Sequence, residues 1–486
     1  MSPFVLIVVV LVIGGGELPG LAIDPVAACA AALAQPLIAA VAVTLIVRAA
    51  LRRLDGAGRA AGADVGWTLR RADRGVRLVR GVVLAAHAGA ILAFGWTDVV
   101  RQRLGDLVLI DELVAMFPPL LALAVTWWCW YPLERRLRDA ESIARVASGG
   151  GVVLPARSRG AWMALQVRMQ VLLMLLPILL AVGGLELLDR AWRLWEPALA
   201  PGWRDAAAVA TVAAVLVVSP LLVRLVLGAR SLPGGTLREG LMAIGRRHRV
   251  RIRDCLLWPT DGAVLNGAVV GVLPGLRYVL LTDALLAELP PPQLHAVMAH
   301  EIGHLRRRHL PLALLTIIAI GAALGTAVDA LRRLVESGAP EGEGWLPALE
   351  SALSSLGPGP VEILLALGGA GIVLGLFGWV SRRLERQADT FAVVHLSEVA
   401  GADRVLPEAV DAMCDALESV AAPGAIDPER RSWRHGSIRW RQAYLRGLVG
   451  RPTRRLPIDA AVRRITLGAL TILALSVAGR VELWAR

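Results

Sequence analysis

The residues best suited by type and spacing to do chemistry lie in Ala299-His300-Glu301-Ile302-Gly303-His304, a match to HExxH. On a helix, residues four apart face the same way, so His300 and His304 can grip one divalent metal ion. Glu301 is placed beside them to accept a proton from water held by that metal. Pro290-Pro291-Pro292 precedes the string, a helical pattern starts at Gln293-Leu294, and Ala296, Val297 and Leu305 supply an apolar face. A catalytic zinc normally takes three protein ligands and one water, so a third ligand must come from elsewhere. Downstream, Glu385 and Asp389 again stand four apart. Glu385 can ligate, and Asp389 can hold a ligand histidine through its other ring nitrogen, which fixes the tautomer. A solvated charge run is the bland alternative for that pair, and its company with HExxH argues for metal.

Something must carry these residues, and the composition says it is a membrane protein. Apolar residues make up 56% and charged residues 19% of 486, with mean hydropathy +0.59. That excludes disorder and is too apolar for an ordinary soluble chain. Crossing a bilayer takes about 20 apolar helical residues. Spans are expected at 26–47, 81–96, 113–133, 169–187, 205–228, 310–330 and 361–380, with weaker candidates at 3–14 and 465–479. Segment 3–14 reads as an anchor and not a signal, because no charged region precedes it.

The 52 basic residues are all arginine and outnumber 40 acidic ones, for a net charge of +12. Segments 48–80 and 134–168 are Arg-rich, whereas 15–25, 97–112 and 331–360 are net acidic. The positive-inside rule therefore places the N-terminus and the polar stretches 229–309 and 381–464 in the cytoplasm. Such a chain has the bilayer as a partner and no nucleic acid. The four cysteines, Cys29, Cys129, Cys255 and Cys414, are spread apart and are expected as free thiols. His87, inside a span, is expected to make a hydrogen bond between packed helices. His248, His295 and His395 have no motif around them and are expected in solvent or at caps.

HEIGHLRRRH (300–309), two spans, and then ERQAD (385–389) resemble the membrane zinc metallopeptidases of the HtpX and CAAX prenyl protease type. Asn266-Gly267-Ala268, the strand-like 278–286 and His435-Gly436-Ser437-Ile438-Arg439-Trp440-Arg441 are similar to further motifs of that family, with Gly436 where proline is usual. The resemblance covers about 229–445. It implies one Zn2+ per chain held by His300, His304 and Glu385, with Glu301 as general base and His435 aiding catalysis. It also implies supporting roles for Asp389, Arg441 and His309, and a substrate-binding edge strand with Asn266 and Ala268, to which a peptide can add by backbone hydrogen bonds.

The fold expected is a predominantly α-helical integral membrane protein of seven to nine transmembrane helices with a cytoplasmic α+β, gluzincin-like zinc-metalloprotease domain. Its parts are a transmembrane region at 1–228, protease parts at 229–309 and 381–464, a transmembrane hairpin at 310–380, and a last span and tail at 465–486. The expected function is a zinc-dependent endopeptidase of the bacterial inner membrane that cleaves membrane or membrane-associated polypeptides, in protein quality control. A BlaR-type sensor protease and CAAX-type prenyl-protein processing are the alternatives. The short tail after the last span speaks against the former, and no prenyl chamber is readable for the latter.

Overall fold

The structure, a computed structural model, describes residues 3–15, 23–56, 63–147, 157–195, 202–262, 264–336, 358–421, 429, 432–454 and 456–484. It divides into two compact units, Met1–Arg230 with Pro259–Asp261, and Ser231–Trp258 with Gly262–Arg486.

The first unit is helical: α1 (Pro3–Gly15), α2 (Pro25–Gly56), α3 (Ala63–Leu92), α4 (Trp96–Leu104), α5 (Ile110–Ala147), α6 (Arg159–Gln166), a π-helical turn (Val167–Leu172), α7 (Leu173–Trp195) and α8 (Trp203–Leu227). Helix α2 packs on α3 and α5 and buries Ala28, Ala32 and Ala39. Small residues let helices approach closely where lipid gives no hydrophobic drive to associate. His87 on α3 meets Gln35 on α2, with Nδ1 and Nε2 3.4 Å apart, and both side chains are fully buried. The Arg-rich segment 48–80 is largely not a loop, since α2 runs on to Gly56 and α3 begins at Ala63. A helix longer than the bilayer is thick can simply continue into water with charged residues on it.

Seven helices among the described residues are long and apolar enough to span a membrane: Pro25–Gly56, Val65–Leu92, Ile110–Ala140, Arg159–Leu194, Trp203–Leu227, His309–Ala330 and Pro457–Ala478. Val209 and Leu225 are 70% and 76% exposed, which suits side chains solvated by lipid. The apolar segment 3–14 forms a shorter helix, and 361–380 forms the first part of a much longer one.

The strands are β1 (Arg230–Ser231), β2 (Asp254–Trp258), β3 (Gly267–Val270) and β4 (Tyr278–Thr282), the last three within the second unit. The helices of the second unit are α9 (Thr236–Arg247), α10 (Asp283–Glu288), α11 (Pro291–Arg306), α12 (His309–Glu336), α13 (Pro358–Val399), α14 (Pro407–Ala421), α15 (Ile438–Arg446) and α16 (Pro457–Trp484). The sheet order is β1-β2-β4-β3, with β2 and β4 parallel and β3 and β4 antiparallel. All five residues of β4 are buried, as a central strand covered on both faces requires. Strand β3 is left at the edge.

Helix α11 starts at Pro291, two residues before the apolar pattern does; a proline in the first turn loses no helical hydrogen bond. It buries Ala296, Ala299 and Ile302 in a core shared with Leu285, Val393 and Met413. The most intimate contact is with α13. A Cβ on Gly303 would lie 3.2 Å from the Phe391 side chain and 3.3 Å from the Ala388 backbone, so glycine lets the two helices nearly touch.

His248, which caps α9, and His395 on α13 are paired at 2.9 Å between Nε2 and Nδ1, and the His248 ring packs on Phe391. His395 is 4% exposed, so the expectation of a solvent or cap role fails there; a neighbouring imidazole satisfies it instead. Burial, then the nearby His248, Arg247 and His295, lowers His395 to about 4, and burial and Arg247 lower His248. A histidine depressed on folding binds more protons unfolded. Its contribution is therefore complete above the ordinary value near 6.5 and is lost as pH falls toward 4. Thermal unfolding should shift to lower temperature across that window, and His395→Gln should flatten the slope; an unchanged slope in the variant would exonerate the pair.

Candidate metal centre

Helix periodicity puts His300 and His304 on one face of α11, and the Gly303 contact brings that face to Glu385 and Asp389 on α13. His300 Nε2 and His304 Nε2 lie 3.1 Å apart. Glu385 Oε2 is 3.8 Å from the first and Oε1 is 3.8 Å from the second. One donor atom from each residue falls within 4.8 Å of the others. Zinc–nitrogen bonds of about 2.0–2.1 Å in a tetrahedron set ligand atoms roughly 3.3–3.4 Å apart, so the triad fits that ion.

Behind the triad stands a second layer. His300 Nδ1 lies 2.9 Å from Asp389 Oδ1, close enough for an ion contact but outside hydrogen-bond direction, and has no hydrogen-bond partner among the described residues. Asp389 in turn accepts two bonds from Arg441, from Nε at 2.7 Å and from Nη2 at 2.6 Å. The third guanidinium nitrogen is 3.4 Å from Glu385 Oε2. Burial alone would push both carboxyls up, but His435 and Arg441 hold Glu385 well below the usual range, and Arg441 holds Asp389 below it. Both stay ionised, which suits Asp389 to hold a proton on His300 Nδ1 while Nε2 faces Glu385.

The remaining expected residues fall around this core. His435 Nδ1 is 3.1 Å from Glu385 Oε1, and the ring is 52% exposed, so it covers the open side of the triad. Burial, with Glu385 nearby, raises the Glu301 carboxyl above its ordinary value, and the Val269 backbone N–H bonds to it. Edge strand β3 therefore runs past Glu301, carrying Ala268. A Cβ at Gly267 would sit 3.8 Å from Glu301 Cγ. Asn266, just before β3, is exposed and pairs through its backbone with Thr282. His309 Nδ1 meets His304 Nδ1 at 2.8 Å.

Gly436 is where the family pattern has proline, and the backbone explains the difference. Its φ is +78°, its N–H donates to Ser432 O at 2.9 Å, and a Cβ would lie 2.9 Å from Trp440. Proline can provide neither that angle nor that donor. Two contributors escaped the sequence reading, Gln387 and Asp459, which continue the line of contacts behind His309. A lone glutamine and an acidic residue in the first turn of a span give no pattern to notice. Of the tyrosines in this unit, Tyr278 is buried in β4 and Tyr444 lies against Arg386.

Removing one partner of a buried ion pair strands the other charge, at about 3–5 kcal/mol. Asp389→Ala should destabilise the protein by roughly that much in thermal or denaturant unfolding, and Asp389→Ala with Arg441→Met should recover most of it.

Residues 260–435 match Peptidase family M48. No curated protein matches the chain. Among solved structures, S. mikatae Ste24p is similar at 13% identity, over 91% of this chain and 99% of that one, with a TM-score of 0.42. The matched segment runs from just before β3 through HExxH and Glu385 to His435. The chain is thus a membrane protein, with helices long and apolar enough to span a bilayer, whose segment 260–435 is similar to a metallopeptidase family.

Proposed function

We propose that the protein is a zinc-dependent endopeptidase that hydrolyses membrane or membrane-associated polypeptides from the cytoplasmic side of a bacterial inner membrane, in protein quality control. The observation that carries this is the pair of Nε2 atoms facing each other across 3.1 Å with Glu385 alongside, buried and backed by Asp389 and His309. One Zn2+ per chain fits His300, His304 and Glu385. When bound, zinc polarises a peptide carbonyl and brings the pKa of its water near 7.

The chain's own groups do the rest. Strand β3 lies at the edge of the sheet, and an extended peptide adds there through backbone bonds, displacing or sharing the Val269 N–H that Glu301 takes, so affinity owes little to side-chain identity. Glu301 takes the proton of the attacking water and returns it to the leaving nitrogen. Burial raises its carboxyl above the ordinary value, in the direction that favours taking up a proton. His435, on the open side of the triad, donates to the oxygen on which negative charge develops. Arg441 holds Asp389, Asp389 orients His300, and Glu385 stays ionised.

The cytoplasmic orientation of 229–309 and 381–464 rests on the Arg-rich and acidic segments. Arg251→Cys should be shielded from a membrane-impermeant thiol reagent in intact cells, and Asp106→Cys should label. The reverse pattern would invert the topology.

Purified protein should carry about one zinc per chain, removable by chelator. His300→Ala, His304→Ala and Glu385→Ala should each lose both metal and peptidase activity. Glu301→Gln should keep the metal, lose turnover and trap substrates for identification. Full activity in Glu385→Ala would mean a different third ligand. His435→Ala should keep zinc and lower kcat by roughly 10²–10³, and near-normal turnover would remove His435 from the mechanism.

A further inference from the structure

The line of contacts behind His304 has a direction, and it can be read from its far end. Gln387 Nε2 donates to Asp459 Oδ1 at 2.7 Å. An ionised carboxylate only accepts, so it faces the NH2 end of the Gln387 amide. The opposite orientation would press two acceptors together. The amide oxygen is therefore turned to His309, whose Nε2 lies 2.9 Å from Gln387 Oε1. That oxygen only accepts, so His309 Nε2 carries the proton. A neutral imidazole has one such proton, which leaves His309 Nδ1 as an acceptor. Its partner at 2.8 Å is His304 Nδ1, and His304 must supply the proton there. Its own Nε2 is then bare, aimed at His300 Nε2 and Glu385.

We infer that Asp459, in the first turn of the C-terminal membrane helix α16, sets the tautomer of the ligand His304 through Gln387 and His309. It is a positioning residue, two side chains removed from the centre. His309 and Gln387 are 4% and 5% exposed, so water does not scramble the hydrogen-bond polarity. Asp459 is itself fixed from the other side by Arg307, 3.5 Å away and immediately after the HExxH helix. The two histidines of the motif thus reach the same tautomer by different means. His300 has a carboxylate directly on Nδ1, whereas His304 receives the equivalent bias from a carboxylate relayed across an amide and a ring. Without Asp459 the amide can turn over, His309 can reverse, and His304 can place its proton on Nε2, where a metal must bind.

The premise rests on hydrogen-bond polarity alone, and the consequence for metal rests on the zinc reading above. Two measurements on the full chain in detergent separate them. The first is nitrogen NMR of zinc-free protein labelled at its eight histidines, with His304 assigned by its loss in His304→Ala. We expect the His304 proton on Nδ1 in the wild type and a mixture in Asp459→Leu. A wild-type proton on Nε2, as a cationic His309 would also impose, overturns the proposal. The second is zinc affinity by competition with a chromophoric chelator. Asp459→Leu should bind zinc about 10–100-fold more weakly, the usual effect of losing such a supporting partner.

Adding Gln387→Glu to Asp459→Leu should restore affinity to within a few-fold, because a carboxylate at 387 can only accept from His309 and needs no anchor. Wild-type affinity in Asp459→Leu, or a double variant as weak as the single one, overturns the relay and assigns any loss to the Arg307 contact or to packing. If Asp459→Leu fails to fold, the wild-type tautomer and the double variant still decide. Wild-type protein with its proton on Nδ1 but no zinc affinity would sink the metal reading and leave the relay standing.

Discussion

Two imidazoles and a carboxylate can be held with their lone pairs facing one another only if the helices that carry them come nearly into backbone contact. Gly303 is where this happens. Any side chain there would meet Phe391 and the Ala388 backbone, and a wider gap would move Glu385 out of reach of His300 and His304. The small and apolar residues around it, Ala296, Ala299, Ile302 and Ala392, keep the contact dry. The sheet contributes by covering the other side of α11 and leaving β3 at its edge beside Glu301.

Dry surroundings make every polar group behind the centre costly unless it is paired. The protein meets that demand with two chains of polar contacts, both ending on a carboxylate. One is short, from His300 to Asp389, with Arg441 clamping the carboxylate and steadying Glu385 as well. The other is long, from His304 through His309 and Gln387 to Asp459. Both also tie the centre to distant parts of the chain. The first reaches the segment that carries His435, and the second reaches a membrane-spanning helix.

The lipid-facing helices obey a different rule. Their long exposed side chains, such as Leu33, Val209 and Leu225, are satisfied by hydrocarbon. Their few polar contacts inside, such as Gln35 with His87, lie at helix interfaces, where lipid cannot compete.

What the sequence determined by itself follows from short-range regularities. Two histidines four apart on a helix share a face whatever surrounds them, and so do Glu385 and Asp389, so the residues that the structure gathers into the candidate site were legible from spacing together with the HExxH motif. The apolar lengths of the spans were legible for the same reason, although their ends were not, because a helix does not stop where the bilayer does. The tertiary structure decided what depends on which distant groups meet. His309 and Gln387 are 78 residues apart, Gln387 and Asp459 are 72 apart, and His248 and His395 are 147 apart. No periodicity links such residues; only packing does. The bidentate grip of Arg441 on Asp389, the buried state of His395 and the left-handed turn at Gly436 are of the same kind. Each is a hydrogen bond or backbone angle whose partner the fold brings in from elsewhere in the chain.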